Sequence, residues 1–373
     1  MTSHRYLIAA AALSVFTACQ HSPLTPGSAE RNQLSAQRMG GPSFDVKVMS
    51  QNLYVGADVD LVIRALGTPD PNDDFAALLF AVETVGKTDF PARAEAIADK
   101  IARERPHAVG LQEVSEINID LRPLGVAAFV SQDFLALLRD ALARRGLNYA
   151  VAGTSTNVDV SLVGGLVRLV DHDALLVDAD RVHVNAAGGQ TFAVNLGPVA
   201  PGVSLIRGWV WARTTIDGAG DFTFATAHTE ANLAGAPAGV VESIRAAQVA
   251  EMVATLASSS RAILMGDLND RPGSPMYNVL AEAGYIDSWP ALRPGVEGLT
   301  CCHAADLSDA VAEFDQRIDY ILSRGLADRN GKLFGQIDRY GDVPADRLPG
   351  PAYPVWPSDH AGLLAALAQS SNR

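Results

Sequence analysis

Apolar residues recur along this chain in short runs whose period switches between two and about three and a half. Phe44, Val46 and Val48 alternate with polar neighbours over residues 44–50, the pattern of a half-buried strand. Residues 92–104 keep Ile97 and Ile101 on one helical face, and Pro106 stops that helix. Residues 108–112 form a buried strand that leads into Glu113. A second amphipathic helix covers 133–145, with Phe134, Leu138 and Leu142 on one side and Gly146 at its end. Strands are predicted over 174–177, 206–216, 222–227, 262–265, 318–322 and 361–367, and a helix over 241–256. The run 162–167 reads as an apolar hairpin or as local core packing. Residues 59–90 and 179–204 read as surface elaborations.

Strands and helices alternate here without a repeating βαβ rhythm. Long strands with helices between them suit two packed mixed β-sheets carrying helices outside, an α/β sandwich. No internal repeat or second domain interrupts residues 44–373, so they are read as one domain.

The start of the chain has a different character. Residues 1–5 are short and basic, and the apolar run 6–16 is of signal-peptide length, too short to span a bilayer. It ends in Phe16-Thr17-Ala18-Cys19, which resembles a bacterial lipobox with Phe16 where Leu is commoner. Residues 1–18 are therefore expected to be a lipoprotein signal peptide, with Cys19 lipidated and residues 19–43 a flexible tether rich in Pro, Gly and polar residues. An ordinary signal peptide that happens to carry a Cys is the alternative. Gln20 after the Cys implies outer-membrane sorting, hence the bacterial cell envelope, with a secreted or periplasmic form as the alternative. Membrane contact would run through the N-terminal lipid. A monomer without a protein partner is expected.

Composition narrows the partners. A hydrophobic content of 48% is ample for a core, and a formal charge of −13 disfavours a non-specific polyanion binder. A local basic groove or a bound cation can still offset that global sign. In an oxidising envelope Cys301 and Cys302 can pair only with each other within the chain. They read as a vicinal disulfide or two packed thiols, since Cys301-Cys302-His303 lacks zinc-site spacing.

Candidate chemistry sits where the predicted strands end. In chain order come Asn52, Gln112-Glu113, Asp173, His228, Gly266-Asp267-Leu268-Asn269, Arg317-Ile318-Asp319-Tyr320 and Ser358-Asp359-His360. Singly each has a bland explanation: a polar strand end for Gln112-Glu113, an Asx turn for Asp267 to Asn269. Together, in this order, they resemble the endonuclease/exonuclease/phosphatase superfamily of deoxyribonuclease-I-like, metal-dependent phosphoesterases. No Gly-x-Ser-x-Gly elbow accompanies Ser358-Asp359-His360, which speaks against a serine hydrolase.

The resemblance implies a four-layer α/β sandwich and a set of roles. Glu113 would be the main ligand of Mg²⁺ (or Mn²⁺ or Ca²⁺), with Asn52 beside it and Asp359 near the cation, an all-oxygen shell that suits a hard ion. Asp267 would orient or activate the attacking water, and Asn269 would hold the phosphate. Asp319 would bond the imidazole of His360, leaving His360 as general base or as electrostatic partner of the pentacovalent phosphorus. His228 and Asp173 would form a phosphate-binding or leaving-group acid pair. Arg207 matches a phosphate-contacting position, although a surface strand Arg is as reasonable. Arg245 and Gln248 read as structural.

Two departures bear on substrate. An Arg that grips DNA in the nuclease branch is replaced by Ser115, and a minor-groove Tyr by Asp171. His228 stands where the abasic-site branch carries Asn. The residues 351–357 bring Tyr353 and Trp356 close in sequence to His360, as an aromatic rim or as packing. A phosphodiesterase acting on a lipid or small phosphodiester is favoured over duplex DNA. An envelope endonuclease for DNA or RNA is the first alternative, and a catalytically inactive surface binding module is the alternative of another class. The complete set of motif residues speaks against the last.

Overall fold

The computed structural model describes residues 45–232 and 239–368. The expected signal peptide, the lipidation site Cys19, the tether and Phe44 lie outside the described residues. Among the described residues the strands are β1 (Val46–Asn52), β2 (Ala108–Gln112), β3 (Glu116–Asp120), β4 (Phe129–Asp133), β5 (Tyr149–Leu162), β6 (Val167–Asp178), β7 (Val182–Thr191), β8 (Gly197–Ala200), β9 (Val203–Leu205), β10 (Gly208–Ile216), β11 (Gly220–His228), β12 (Ala262–Asp267), β13 (Ile286–Asp287), β14 (Asp319–Arg324), β15 (Phe334–Tyr340) and β16 (Gly362–Ala368). The helices are α1 (Val59–Leu66), α2 (Pro71–Thr88), α3 (Phe90–Glu104), α4 (Phe134–Arg144), α5 (Val240–Leu256), α6 (Pro275–Glu282) and α7 (Ser288–Leu292).

Fourteen of these strands form two sheets that share a core, and β8 and β9 pair with each other as a separate ribbon. One sheet runs β15-β16-β1-β2-β6-β3-β4 with β5 paired to β6, and the other runs β13-β14-β12-β11-β10-β7. Both are mixed: β1 pairs β2 in parallel and β16 antiparallel, while β11 pairs β12 in parallel and β14 joins β12 antiparallel. Val46 and Val48 of β1, Leu175 and Val177 of β6, Ile263 and Met265 of β12 point between the sheets. Their sequence neighbours point outward. Met49 and Leu176 meet α3 and α4 through Ile97, Ile101, Phe134 and Leu138. Ala262 and Leu264 meet α5 and α6 through Val249, Met252 and Leu280. The result is the expected four-layer sandwich. Burying each large aliphatic or aromatic side chain contributes roughly 1.5–3 kcal/mol.

Local chemistry sets the helix starts. Asp89 Oδ1 accepts from Ala92 N at the head of α3, and Asp133 Oδ1 accepts from Ala136 N at the head of α4, each satisfying an otherwise free N–H. One region matches the sequence reading but is longer than expected, and two differ from it. The run 162–167 is the tip of a long hairpin, β5–β6, whose arms extend well beyond the expected strand 174–177. Residues 179–204 are no loose elaboration, because β7 pairs β10 along its length. Residues 59–90 hold α1 and α2.

Candidate active site

Strand register assembles the site. His228 pairs with Asp267 across β11–β12, and Asp267 pairs with Asp319 across β12–β14, so three functional groups stand in a row at the end of one sheet. On the other sheet Asn52 pairs with Gln112, placing Asn52 and Glu113 at the matching edge. The chain leaves these strands in a conformation that ordinary residues avoid: φ is 53° at Glu113, 50° at Asn269 and 59° at Tyr54. Such left-handed positions away from glycine persist where surrounding contacts over-determine them. Here the contacts include Asn269 N donating to Asp267 Oδ1 at 3.0 Å and Tyr54 N donating to Asn52 Oδ1 at 2.8 Å.

His360 follows its motif. Its Nδ1 lies 2.9 Å from Asp319 Oδ2 and 3.8 Å from Asp267 Oδ2, and its Nε2 lies 4.0 Å from Asp359 Oδ1. Burial alone would lower its pKa, but Asp319, Asp359 and Asp267 outweigh burial and hold it well above the usual histidine value. Asp267 itself is pushed up to about 7, first by burial and then by Asp319, while His360 pulls it down. Asp359 is also raised to about 7, by burial and by Glu113, against the pull of His360 and Arg93. Asn269 Nδ2 donates to the carbonyl of Thr229 at 3.1 Å.

Glu113 is held by the first sheet. Its Oε1 accepts from Asn52 Nδ2 at 3.1 Å and its Oε2 from Val55 N at 2.9 Å. Asn52 also donates to Asp267 Oδ2 at 3.2 Å. The expected place of Asn52 beside Glu113 is thus a hydrogen bond between the two side chains. Because its Oδ1 accepts the Tyr54 amide, its nitrogen faces the carboxylates, and it bridges Glu113 and Asp267 as a donor. Glu113 and Asp359 keep part of their surface exposed, whereas Asp171, Asp173, Asp267 and Asp319 are buried.

The second histidine departs from expectation. Asp173 Oδ2 accepts from the main-chain N–H of His228 at 3.0 Å rather than from its ring. The ring's Nδ1 instead lies 3.2 Å from Arg207 Nη1, and its Nε2 lies 3.6 Å from Asp267 Oδ2. A guanidinium only donates, so Nδ1 must accept and the proton belongs on Nε2. Burial first, then Arg207 and His360, depress the His228 pKa well below the usual value, keeping the ring neutral. Arg207 is buried rather than solvent-facing, with Nε 3.5 Å from Glu230 Oε1.

Asp173 belongs to a buried acidic layer. Asn157 Nδ2 donates to Asp173 Oδ1 at 3.0 Å and to Asp171 Oδ2 at 3.2 Å, and Ser115 Oγ lies 2.9 Å from Asp171 Oδ1. Burial raises Asp173 well above the carboxylate range, and burial with Glu113 raises Asp171 to about 6. Sequence reasoning missed Asn157, which sits in β5 among alternating small residues without a motif. It also missed Arg93, a fully buried cation donating to the carbonyls of Leu53, Tyr54 and Thr88. Buried charge is rare enough that nothing in a helical Ala-Arg-Ala run announces it.

Two further expectations resolve as packing. Trp356 is fully buried, stacks on His303 and donates to the carbonyl of Asp309, so it is no rim residue. Tyr353 is half-buried, with its hydroxyl on the carbonyl of Asp306. Cys301 and Cys302 form a vicinal disulfide. Cys301 lies in β-bridges to Gln316 and His360, wedging this loop between the Asp319 and His360 segments. Arg245 is structural as expected, donating to Asp270 and to the carbonyl of Glu230.

A two-sheet sandwich with carboxylates, imidazoles and an Arg gathered at the strand ends is an arrangement for hydrolysing phosphate esters. Residues 50–360 match the endonuclease/exonuclease/phosphatase family, and the chain belongs to it. Members of this superfamily are phosphoester hydrolases. Among solved structures the fold is similar to an endonuclease/exonuclease/phosphatase from Beutenbergia cavernae, 20% identical over 87% of this chain and 71% of that one, with a TM-score of 0.54. It is also similar to a mannosyl-6-phosphatase from Bacteroides thetaiotaomicron, 18% identical over 87% of this chain and 99% of that one, with a TM-score of 0.52. A family protein from Leptotrichia buccalis gives 15% identity over 86% and 99% of the two chains and a TM-score of 0.52. At these identities the likeness speaks for the fold. No curated protein sequence matches the chain.

Proposed function

We propose that the protein is a divalent-metal-dependent phosphodiesterase. The observation that carries this reading is the row His228, Asp267, Asp319, with His360 bonded to its far end and Glu113 reached through Asn52. The donor chemistry fits a hard cation. Glu113 and Asp359 are partly exposed carboxylates, and Asp359 is pushed up to about 7 by burial and by Glu113 in spite of His360 and Arg93. Carboxylate oxygens of this kind suit Mg²⁺ or Mn²⁺. When bound, the cation would supply Lewis-acid stabilisation of charge on the phosphate oxygens.

The chain's own residues do the rest. Asp267, with Oδ1 fixed by Asn269 N and Oδ2 by Asn52, orients the attacking water and accepts its proton. His360, held by Asp319 and favoured as imidazolium, faces the phosphoryl group as an electrostatic partner. Neutral His228 presents Nε2–H, and Arg207 behind it adds positive charge, so the two bind phosphate oxygens or assist the leaving oxygen. Asp173 positions His228 through its main chain and orders Asn157.

The finer substrate reading favours a lipid or small phosphodiester over duplex DNA. Ser115 is tied to Asp171, and the chain's charge of −13 opposes long-range attraction of a polyanion. The same proposal keeps residues 44–373 as a monomeric catalytic domain anchored to the outer membrane through lipidated Cys19, after removal of residues 1–18. Fractionation of cells expressing Cys19→Ser tests the anchor: the protein should move from the membrane to the soluble fraction. Initial rates on plasmid DNA and on phosphodiester lipids at equal Mg²⁺ test the ordering, and efficient nicking without lipid turnover would reverse it.

A further inference from the structure

Beside the catalytic row opens a cleft whose walls are almost wholly apolar, and every element that forms it turns its apolar period toward it. From α1 come Val59, Val62, Ile63 and Leu66, and from α2 come Leu78, Ala81, Val82 and Val85. Both sets follow the i, i+3, i+4, i+7 spacing of one helical face. In α1 that face has little core to meet, since Ala65 is the buried residue of the helix. Four strands contribute at a period of two: β5 adds Val158, Val160 and Leu162, and the other three apolar rows change character as they approach the site. Val167 and Leu169 lead to Asp171, Val203 and Leu205 lead to Arg207, and Ile119 and Ile117 lead to Ser115 and Glu113. The cleft is thus polar and charged at the end shared with His228, Glu113 and Arg207, and aliphatic beyond it. Arg168, at the wall, is paired with Asp159.

A ligand that matches both ends carries a phosphate attached to an aliphatic chain. Sugar and base moieties, by contrast, would leave their hydroxyl and amide groups unpaired against such walls. We infer that this cleft binds a single aliphatic chain ester-linked to the phosphate under attack, so that Val62, Ile63, Ala81, Val160 and Leu169 select substrates by chain length. The inference rests on the phosphodiesterase reading for its kinetic form, and its binding form stands without it.

The test uses the full chain with Mg²⁺ and a series of alkyl p-nitrophenyl phosphodiesters, methyl, hexyl and dodecyl, each below its micellar concentration. Burial of a methylene is worth about 0.8 kcal/mol, or roughly fourfold, so kcat/KM should rise on the order of 10²-fold or more from methyl to hexyl. Ala81→Trp, which fills the cleft from α2, should flatten the series by removing the gain from methyl to dodecyl. Val62→Gln, polar without added bulk, should lower the slope. A flat series in the wild type with intact methyl-ester turnover overturns the inference while leaving the phosphodiesterase reading in place; packing space, or a cleft filled by a second copy, would give that result. If none of the esters turns over, the hydrolytic reading fails. Calorimetry with dodecyl phosphate and methyl phosphate then decides the cleft alone. Tighter dodecyl binding that Ala81→Trp removes supports it, and equal binding of the two contradicts it.

Discussion

Asp319 sets Oδ2 2.9 Å from Nδ1 of His360 while its main chain pairs with Asp267 across the sheet. One carboxylate therefore fixes the imidazole's orientation and raises the pKa of the adjacent Asp267. Asp319→Asn should lower kcat on the order of 10²–10⁴-fold with little change in KM, since it disturbs a group acting in the transition state. The His360 pKa, followed by NMR, should fall in the same variant. Unchanged turnover with a lowered His360 pKa would show that the imidazolium charge is not used.

Arg207 and His228 make a second testable couple. Arg207 Nη1 faces His228 Nδ1 at 3.2 Å and helps depress that imidazole's pKa. In Arg207→Met the His228 pKa should rise, and phosphate affinity should weaken about tenfold, as for loss of one charge-assisted contact. Inhibition by inorganic phosphate and an NMR titration of His228 read the two effects separately. A variant that binds phosphate as well as the wild type would assign Arg207 to structure through Glu230.

Gly266 precedes Asp267 at a φ of 149°, and a Cβ there would lie 2.1 Å from the carbonyl oxygen of Ala227 on the neighbouring strand. No rotamer relieves a clash between Cβ and backbone. Gly266→Ala should cost about 3 kcal/mol or more, the upper end of overpacking penalties. Urea unfolding measures it, and a midpoint close to the wild type would mean that β11 and β12 can part without loss.

The reach of the sequence follows from what its patterns encode. Strand-length apolar runs, alternating in β1 and unbroken in β12, identified β1, β11, β12 and β14, and with them the places of Asn52, His228, Asp267 and Asp319. Motif order supplied the expected roles, but not the hydrogen bonds. Asp173 and His228 are both in the motif set, yet their contact runs through a main-chain N–H, which residue type cannot specify. Asn52 likewise offers an oxygen or a nitrogen, and the Tyr54 amide decides which one faces Glu113. β7 escaped because its Ala-Ala-Gly-Gly stretch has no apolar alternation, being a strand that packs small residues against β5 and β10. α1 and α2 did carry a legible apolar face, Val59, Val62, Ile63 and Leu66 in one and Leu78, Ala81, Val82 and Val85 in the other, which reading 59–90 as a surface elaboration passed over.

His107 gives a pH dependence away from the site. Lys47 N donates to its Nδ1 at 2.9 Å, and burial first, then Arg181, lower its pKa to about 4. The unfolded value is about 6.5, so below that pH the unfolded chain binds a proton that the folded one refuses. The stability contribution is complete above about pH 6.5 and is lost as pH falls toward 4. Urea midpoints measured from pH 7.5 down to 4.5 should fall more steeply in the wild type than in His107→Gln, which does not titrate. Parallel curves would place the titrating groups elsewhere.

The central claim is hydrolysis of a phosphodiester by a cation held at Glu113, and one assay addresses it. The protein is stripped with a chelator, and turnover of bis(p-nitrophenyl) phosphate is followed as Mg²⁺ or Mn²⁺ is restored, in the wild type and in Glu113→Gln. Turnover should be negligible after stripping and recover on adding the ion. In Glu113→Gln, folded as the wild type by circular dichroism, turnover should fall at least ~10²-fold and respond more weakly to metal. Full turnover in the stripped protein, or in Glu113→Gln at the same metal concentration, would contradict it.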